Sequence, residues 1–359
     1  MTSTKRILVT GGAGFIGSAL VRRLIAGSPH QVLNLDALTY AASPAALDAV
    51  RGHARYDFVQ ADIRDRDALR RAITAFAPDI ITHLAAETHV DRSIDGPAAF
   101  VETNVGGTLN LLTEALAYWR GLDGARRESF RLHHISTDEV FGALPAVGVF
   151  TETSPYDPRS PYSASKAASD HLVRAFHHTY GLPVLITNCS NNYGPWQFPE
   201  KLIPLMIIKA LGGEPLPIYG AGDQVRDWLH VDDHVEALIK VFEAGRPGET
   251  YLIGGRAERT NLQVVEGICA HLDAVRPRPD AQPHIRGVSH VEDRPGHDRR
   301  YAVDPSRIET QLGWRAAHSF ASGLKETVDW YLAQEAWWRP IRERAYAGER
   351  LGVAKAAAR

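Results

Sequence analysis

The chain has 359 residues, 44% of them hydrophobic and 23% charged, which is the composition of a globular protein large enough for one elaborated α/β domain or two ordinary domains. A formal net charge of -2 gives no reason to expect nucleic acid or an anionic membrane as a partner, and no apolar stretch reaches the length of about 18 residues that spans a bilayer. The two cysteines and 16 histidines show no disulfide or metal-ligand spacing, so we expect a cytoplasmic protein that holds no metal.

The first predicted strand, Arg6–Thr10, runs directly into a glycine-rich turn and then into a helix. The glycines at 12, 14 and 17 satisfy GxGxxG, and those at 11, 14 and 17 satisfy GxxGxxG. In either case the glycines let backbone N–H groups and the helix N-terminus approach a pyrophosphate closely. The motif is weak by itself, so its meaning depends on the strands that follow.

Acidic residues follow the second and third predicted strands. Asp36 ends the second strand about 20 residues after the glycines, where a carboxylate hydrogen-bonds the ribose of NAD and repels the 2′-phosphate of NADP. Asp62 lies near the end of the third strand candidate, 58–63, and is placed to meet the adenine. The fourth, Ile80–Ala86, ends in small residues that allow the backbone close to a cofactor. The alternative interpretation is that both aspartates are ordinary turn residues.

Strands alternating with helical stretches at Asp67–Phe76 and Phe100–Tyr118 predict an α/β fold with a doubly wound parallel sheet of the Rossmann type. After Cys189 prolines and glycines become frequent, and Asn191–Pro195 has the composition of a turn. We therefore predict a smaller C-terminal α/β lobe for the substrate. The predicted division is an NAD-binding domain at 1–193 and 228–256, a substrate lobe at 194–227 and 257–340, and a tail at 341–359.

Three polar side chains, Thr137, Asp138 and Glu139, follow one another at the end of a later strand. Neighbouring like charges raise one pKa, so one acid can stay protonated as a donor while the other is ionised as a base. The alternative is a solvated acidic turn. Because successive strand residues point to opposite faces, the backbone must leave strand geometry around Asp138 if both acids are to reach one substrate.

Tyr162 and Lys166 lie four residues apart in a predicted helix that ends at Tyr180, so they share one helix face. Lowering the pKa of a tyrosine by about three units needs about 4 kcal/mol, which a cation about 4 Å away supplies at an effective dielectric near 20. We therefore expect Lys166, assisted by a positive nicotinamide, to convert Tyr162 into a base. The alternative is an exposed helical pair.

Basic residues are concentrated in the predicted substrate lobe, where a diphosphate would find partners. Of these residues, Arg299 and Arg300 are the ones that we interpret as surface groups. The full set is Lys201, Arg226, Arg294, His297, Arg299 and Arg300.

Motifs spread over nearly the whole length give the chain a specific resemblance. They read TGGAGFIGS, LAAETHVDRSI, HHISTDEVFG, SPYSASKAASDHLV, NCSNNYGP, FPEKLIP, RDW and DRPGHDRRYA. With these motifs the chain resembles the extended short-chain dehydrogenases/reductases, and within them the dTDP-glucose 4,6-dehydratases. The Thr-Asp-Glu triplet separates dehydratases from the related 4-epimerases, which lack the acid-base pair.

The resemblance implies an NAD-dependent hydro-lyase that acts on one bound sugar nucleotide without net redox change. Tyr162, steadied by Thr137, would take the proton of the C4 hydroxyl while C4 is oxidised. Glu139 would remove the C5 proton and Asp138 would protonate the departing C6 hydroxyl. The 4-keto product feeds rhamnose and many other deoxysugars, and the sequence does not name the pathway.

Residue-by-residue matches to the family extend the predicted site. Catalytic roles fall to Thr137, Asp138, Glu139, Tyr162 and Lys166. The predicted cofactor-binding residues are Gly11, Gly12, Gly14, Phe15, Ile16, Gly17, Asp36, Ala37, Leu38, Thr39, Asp62, Ile63, Leu84, Ala85, Ala86, Thr103, Tyr162, Lys166 and Asn192. The predicted substrate-binding residues are Thr88, Thr137, Asn191, Lys201, Leu202, Pro217, Tyr219, Arg226, Asn261, Arg294 and His297.

The chain departs from the family pattern at few positions. Phe141 and Trp196 stand where the family often has tyrosine, and the loop Ala143–Phe150 is short. Relatives form homodimers through two helices per subunit, here Phe100–Tyr118 and Tyr162–Tyr180. Two alternatives stay open at this point: a 4,6-dehydratase of a UDP-, CDP- or GDP-sugar, and a catalytically silent NAD-binding protein of the same fold.

Overall fold

The computed structural model describes residues 4–344 and Tyr346. Within that part of the chain, no helix is both long and apolar enough to cross a lipid bilayer. Most of the predicted C-terminal tail at 341–359 lies outside the described residues.

The strands and helices alternate through the first half of the chain as the sequence predicts. The strands are β1 (Arg6–Thr10), β2 (Gln31–Asp36), β3 (Tyr56–Gln60), β4 (Ile80–His83), β5 (Arg131–Thr137), β6 (Val184–Cys189), β7 (Asn191–Tyr193), β8 (Leu216–Tyr219), β9 (Val225–His230), β10 (Thr250–Ile253), β11 (Glu258–Thr260) and β12 (Val288–Val291). The helices are α1 (Phe15–Gly27), α2 (Arg66–Phe76), α3 (Val90–Asp95), α4 (Pro97–Phe100), α5 (Thr108–Arg120), α6 (Gly124–Ser129), α7 (Pro161–Tyr180), α8 (Leu202–Leu211), α9 (Val231–Ala244), α10 (Asn261–Val275), α11 (Ser306–Leu312), α12 (Phe320–Ala333) and α13 (Glu335–Arg344).

The central sheet is parallel throughout, with the strand order β10-β6-β5-β4-β1-β2-β3. Helices cover both faces, which explains why inner strands such as β1 and β4 are buried along nearly their whole length. On one face Leu20 of α1 packs with Leu238 of α9, and on the other face Leu69 of α2 packs with Leu112 of α5. The predicted doubly wound Rossmann fold is confirmed, and it places the carboxyl ends of all these strands at one edge.

A second group of elements packs around its own apolar core. Two small sheets, β11-β9-β7 and β12-β8, accompany helices α8, α10 and α12. Met206, Ile268 and Tyr331 are buried between these helices, whereas Ile308 and Trp314 pack into the core beside α1 and α9. The domain boundaries given above stay a prediction, and these contacts associate the segment around α11 with the central sheet.

Two local predictions differ from the structure. Asn191–Tyr193 has turn composition but forms β7, because it pairs in parallel with Trp228–His230 and this pairing satisfies its backbone groups. The single helix expected over Phe100–Tyr118 is interrupted by a π-helical segment, Val101–Gly107. There the buried Asn104 amide hydrogen-bonds both the backbone of Glu87 and the hydroxyl of Ser165. A π-helical turn inside an α-helix is frequently found at functional sites.

In the glycine turn after β1 the backbone of Gly17 lies close against the backbone of Gly11 and Gly12. A Cβ at Gly17 would collide with the carbonyl oxygen of Gly11 and lie 2.8 Å from the Cα of Gly12. Gly17→Ala therefore should open the turn and weaken binding of NAD at least about tenfold, equivalent to about 1.4 kcal/mol. Isothermal titration calorimetry with NAD measures this change.

The matched control is Gly96→Ala, because the nearest atom to a Cβ at Gly96 is 3.8 Å away. This variant should bind NAD like the parent. Equal NAD affinities for Gly17→Ala and Gly96→Ala would contradict the role assigned to the turn.

Candidate active site

A cleft of about 360 Å³ opens at the carboxyl ends of the central strands. Its walls combine the glycine turn after β1, the residues that follow β2 and β4, the end of β5 and the start of α7. Side chains as far apart in sequence as Phe15 and Lys201 therefore meet in one place, at the sheet edge where ligands of doubly wound folds bind.

Most of the site residues predicted from the sequence line this cleft. They are Gly11, Gly14, Phe15, Ile16, Gly17, Asp36, Ala37, Thr39, Asp62, Ile63, Leu84, Ala85, Ala86, Thr88, Thr103, Thr137, Asp138, Glu139, Tyr162, Lys166, Asn191, Asn192 and Lys201. The remaining predicted residues lie outside the lining, namely Gly12, Leu38, Leu202, Pro217, Tyr219, Arg226, Asn261, Arg294 and His297. Their roles stay predictions.

Asp36 is held in position by two backbone groups of the cleft wall. Its carboxylate accepts hydrogen bonds from the N–H of Ala13 at 2.9 Å and from the N–H of Leu38 at 2.7 Å. Burial raises the pKa of Asp36, and these two hydrogen bonds oppose that rise. Each carboxylate oxygen keeps a second lone pair, so the group can still accept from ribose hydroxyls. Leu38 thus acts through its backbone.

The glycine turn fits closely against its surroundings. Gly11 has a φ of +73°, and a Cβ there would lie 2.6 Å from the backbone nitrogen of Ala85. Gly12 faces the side chain of Asn34 instead of the cleft, so its role is packing. The small residues at the end of β4 therefore allow the approach that the sequence predicts.

Asp62 forms a pair that the sequence analysis did not include. The guanidinium of Arg64, which also lines the cleft, donates to the Asp62 carboxylate at 2.7 Å and lowers its pKa. Asp62 therefore remains ionised at the dinucleotide end of the cleft. The signal was present in the sequence as an arginine two residues after the acid.

The backbone leaves strand geometry where the sequence predicts. β5 ends at Thr137, and a 3₁₀ turn covers Asp138–Phe141. The hydroxyl of Thr137 accepts a hydrogen bond from the N–H of Glu139 at 3.2 Å, which caps this turn. Because of the turn, Asp138 and Glu139 both line the cleft and do not point to opposite faces of the sheet.

The two acids are in different electrostatic surroundings. Burial raises the pKa of Asp138 well above its usual range, and the neighbouring Glu139 raises it further. Burial also raises the pKa of Glu139, but Arg294, Arg226 and Lys201 oppose the rise. Asp138 is therefore suited to donate a proton and Glu139 to accept one. The Oδ2 atom of Asp138 has no hydrogen-bond partner among the described residues and remains available to a substrate.

The pKa of Tyr162 is set by burial and by neighbouring charge. We expect Lys166 and a positive nicotinamide to lower this pKa, but in the protein alone burial raises it well above its usual range and the Glu139 carboxylate adds to this rise. Lys166 instead donates to the carbonyl oxygen of Ile135 at 2.9 Å, and burial lowers its own pKa. The protein's own groups near Tyr162 thus favour the neutral phenol, and the lowering of its pKa in the presence of a positive nicotinamide stays a prediction.

Basic side chains approach the acid pair from the second group of elements. Lys201 donates to the carbonyl oxygen of Thr88 at 3.0 Å, and Arg294 donates to Asp91 at 2.8 Å. Arg226 lies 4.2 Å from the centre of the Tyr301 ring and is buried. The same cations that oppose the pKa rise of Glu139 therefore border the cleft on the side of the predicted substrate lobe.

Glu200 lines the cleft, although only Lys201 and Leu202 of its motif have predicted roles. Its carboxylate accepts hydrogen bonds from Tyr40 at 2.9 Å and from Arg92 at 3.0 Å. These partners are 160 and 108 positions away in the chain, so no local pattern indicates the pairing. The cleft is also lined by Cys189, Ser190, Gln197 and Phe198.

The two departures from the family pattern have structural roles. Phe141 is buried and packs against the rings of Phe150 and Tyr156, with centroids 5.1 Å away in both cases. Trp196 packs against Trp330 and does not line the cleft.

One group in the described part of the chain has metal-ligand composition. The ligand atoms of His230, His318 and Glu326 lie within 4.8 Å of one another. Sequence spacing could not reveal this group, because His230 is far from the other two residues in the chain. The expectation that the protein holds no metal remains untested.

The fold and the cleft together define a class of protein. A doubly wound sheet with a glycine turn, a carboxylate after β2 and a Tyr-Lys pair on the helix beside the cleft characterises the nicotinamide-dependent short-chain dehydrogenases/reductases. The adjacent acid pair at the end of β5 adds proton-transfer groups suited to elimination.

Comparison with known proteins identifies the family within this class. Residues 8–327 match the family model described as GDP-mannose 4,6 dehydratase. A protein of Xanthomonas campestris pv. campestris strain B100, named dTDP-glucose 4,6-dehydratase, is 56% identical over 346 residues, which cover 96% of this chain and 98% of the relative.

Two solved structures are similar along nearly their whole length. The dTDP-glucose 4,6-dehydratase of Streptomyces venezuelae with NAD and TYD bound has a TM-score of 0.86 and 47% identity, over 94% of this chain and 99% of that one. The enzyme of the same name from Bacillus anthracis in complex with NAD has a TM-score of 0.83 and 42% identity, over 94% and 100%. The chain belongs to the dTDP-glucose 4,6-dehydratase family.

The raised pKa of Asp138 predicts a pH-dependent gain in stability for Asp138→Asn. Below the ordinary pKa of an aspartate both folded and unfolded parent are protonated, so parent and variant should be similar. As pH rises, the unfolded parent loses this proton while the folded parent keeps it, so the parent loses up to about 1.4 kcal/mol per pH unit. Urea unfolding from pH 4 to pH 8 should show the variant becoming progressively more stable than the parent.

Asp62→Asn is the control of opposite sign. Because Arg64 lowers the pKa of Asp62, the stability from this pair is present at neutral pH and is lost as pH falls. This variant should be less stable than the parent at pH 7 and should approach it at low pH. A pH-independent difference for Asp138→Asn would contradict the protonated state assigned to Asp138.

Proposed function

We propose that the protein converts dTDP-α-D-glucose into dTDP-4-dehydro-6-deoxy-α-D-glucose and water, with bound NAD and without net redox change. One observation carries this proposal: the buried Asp138 and Tyr162 and the half-buried Glu139 are side chains of one cleft, which also contains the glycine turn. The family membership supports the same reaction.

The residues present fit NAD as the cofactor. Gly11, Gly14 and Gly17 line the cleft beside the N-terminus of α1, which suits a pyrophosphate. Asp36 keeps lone pairs for the ribose hydroxyls, and its negative charge disfavours a 2′-phosphate. The solved relatives from Streptomyces venezuelae and Bacillus anthracis contain NAD. Bound NAD supplies the hydride acceptor for oxidation at C4 and the hydride donor for reduction at C6.

In the first stage Tyr162 takes the proton of the C4 hydroxyl, and Thr137 holds the same oxygen by a hydrogen bond. Both residues line the cleft. Because burial and Glu139 favour the neutral form of Tyr162, positive charge near the phenol in the complex is needed to stabilise the phenolate, whose proton passes to solvent before the C4 proton is taken. Lys166, one helical turn further along α7, is the residue placed for this role.

In the second stage the two acids divide the elimination between them. The ketone at C4 makes the C5 hydrogen acidic, and Glu139 removes that proton. Asp138 gives its proton to the C6 hydroxyl, the C6–O bond breaks, and water leaves. Glu139 then returns a proton to C5 as C6 is reduced, so the product differs from the substrate by one water. The opposing electrostatic surroundings of the two acids match these opposite tasks.

The nucleotide diphosphate would lie against the basic residues at the border of the cleft. Lys201 lines the cleft, and Arg226 and Arg294 act electrostatically on Glu139 from the same side. Arginine side chains suit phosphate oxygens because their planar groups can donate two parallel hydrogen bonds. Asn191, Tyr219, Asn261 and His297 complete the proposed nucleotide-sugar contacts, with Thr88 at the sugar.

Two further properties belong to the same proposal. Exposed apolar side chains, Val101, Leu109 and Tyr180, lie on the helical segments expected to form a homodimer interface, and sedimentation velocity distinguishes a dimer from a monomer. Cys189 and Cys269 are both free and buried, which agrees with a reducing cytoplasm. Fractionation of the source cells would test that location.

Incubation with dTDP-glucose tests the proposed reaction directly. Product identification by NMR should show a 6-methyl group and a 4-ketone, with no NADH accumulating. UDP-, CDP- and GDP-glucose serve as controls at equal concentration. A clear preference for one of these sugars would contradict the proposed thymidine nucleotide. Binding of NAD without any 4-keto product would favour a catalytically silent NAD-binding protein.

Glu139→Gln should block one step of the reaction, the removal of the C5 proton. The amide has nearly the shape of the carboxylate but cannot remove the C5 proton, so substrate binding and oxidation at C4 should continue while turnover falls at least about 100-fold. In D₂O the parent should incorporate deuterium at C5 and the variant should not.

The matched variant is Asp138→Asn, which keeps Glu139 but cannot protonate the leaving hydroxyl. It should still exchange the C5 hydrogen with solvent while water loss is slowed. If Glu139→Gln exchanged C5 at the parental rate, the base assignment would be wrong.

A further inference from the structure

Asp170, a carboxylate that the proposed reaction does not use, lies completely buried behind the catalytic residues. It accepts hydrogen bonds from Ser136 at 2.9 Å, Tyr156 at 2.8 Å and Asn188 at 3.1 Å, and its other oxygen is 3.1 Å from Nε2 of His134. Burial raises the pKa of Asp170, but hydrogen bonds led by that from His134 and nearby positive charge lower it below its ordinary value. These hydrogen bonds offset the cost of burying an ionised carboxylate.

His134 lies between Asp170 and Lys166. The same Nε2 atom lies 3.1 Å from Asp170 and 3.5 Å from Nζ of Lys166. Burial, and then Lys166, lower the pKa of His134 to about 4, so the imidazole is neutral. Its Nδ1 atom has no hydrogen-bond partner among the residues described, which places the proton on Nε2, where it is donated to Asp170.

Lys166 is itself completely buried, and an ammonium in that position needs a negative neighbour. Charge from Asp170, and to a smaller extent from Cys189, opposes the lowering of its pKa by burial. Burial raises the pKa of the Cys189 thiol to about 12, so this group is neutral at physiological pH. Asp170 is thus the ionised group that favours the charged form of Lys166.

The other titratable groups around this network do not replace Asp170. His83 is buried and its pKa is lowered well below the usual range, so it is neutral. Tyr156 donates to Asp170 and accepts from Arg174 at 2.7 Å. On the cleft side, Tyr162 faces Glu139, Asp138 and Cys189.

We propose, building on the function above, that Asp170 is a positioning residue whose charge keeps Lys166 as an ammonium, so that Lys166 can favour the phenolate of Tyr162. Asp170 and Lys166 lie one turn apart on α7, while His134 and Ser136 come from β5. Asn188 of β6 donates to Asp170 and also to the carbonyl oxygen of Thr137 at 3.0 Å. One network therefore fixes the charge of Lys166 and the position of the strand end that carries the acids.

Asp170→Asn removes the charge at nearly constant volume. Lys166 should then lose its proton at lower pH, so the alkaline limb of the kcat profile should move to lower pH by at least about one unit, a tenfold change in the equilibrium. Ser136→Ala is the matched control, because it removes one hydrogen bond to Asp170 and leaves the charge. Its alkaline limb should stay where that of the parent lies.

A second readout does not depend on the sugar substrate. The phenolate absorbance of Tyr162 is the difference between the spectrum of the NAD complex and that of the same complex carrying Tyr162→Phe. It should appear at higher pH in Asp170→Asn than in the parent, because a neutral Lys166 no longer favours the phenolate. If the protein does not convert dTDP-glucose but the phenolate titration still shifts in Asp170→Asn, the proposed function is contradicted and the role of Asp170 is supported.

The contrary results are specific. Equal phenolate titrations for the parent and Asp170→Asn, or lower activity at every pH with unmoved limbs, would overturn the proposal and leave Asp170 a structural residue. If the variant does not fold, the ¹³Cε shift of Lys166 in the parent NAD complex decides. It is assigned by comparison with Lys166→Arg. An ammonium at pH 8 is expected, and a neutral amine there would overturn the proposal.

Discussion

Removal of water from ionisable side chains at the carboxyl edge of the sheet is the constraint on which the site depends. Asp138, Tyr162 and Lys166 are buried there and Glu139 is half-buried, and loss of hydration is the largest influence on the pKa of each one. It keeps Asp138 protonated and Tyr162 neutral, and it disfavours the charge on Lys166. The basic side chains near Glu139 and the carboxylate of Asp170 then select which groups are ionised.

The parallel sheet holds the site's polar side chains in fixed positions at one edge. Strands covered by helices on both faces bring distant parts of the chain to one edge, where the 3₁₀ turn after β5 directs two consecutive acids into the same cleft. Behind them, the hydrogen bonds of Asp170 join α7 to β5 and β6. The proton-transfer groups therefore rest on rigid elements, and the second group of elements contributes the cations that border the cleft.

Sequence patterns predicted the parts of the site whose chemistry lies within a few residues. The glycine turn, Asp36, the Thr137–Glu139 triplet and the departure from strand geometry were all readable in this way. The pairing of Glu200 with Tyr40 and Arg92, the strand formed by Asn191–Tyr193 and the network around Asp170 depend on contacts between distant segments. The protein's own groups raise the pKa of Tyr162, and the sequence did not show this, because helix spacing indicates a nearby lysine but not the burial of the phenol.

The central claim is that one phenol and two carboxyl groups converge on a single hexose, each with its own proton to move. A crystal structure of the Glu139→Gln variant with NAD and dTDP-glucose tests it most directly. The account predicts the oxygen of Tyr162 at the C4 hydroxyl and a carboxyl oxygen of Asp138 at the C6 hydroxyl, both within about 2.6–3.2 Å, with the substituted amide at position 139 facing C5. A complex in which residue 138 or 139 turns away from the sugar would contradict it.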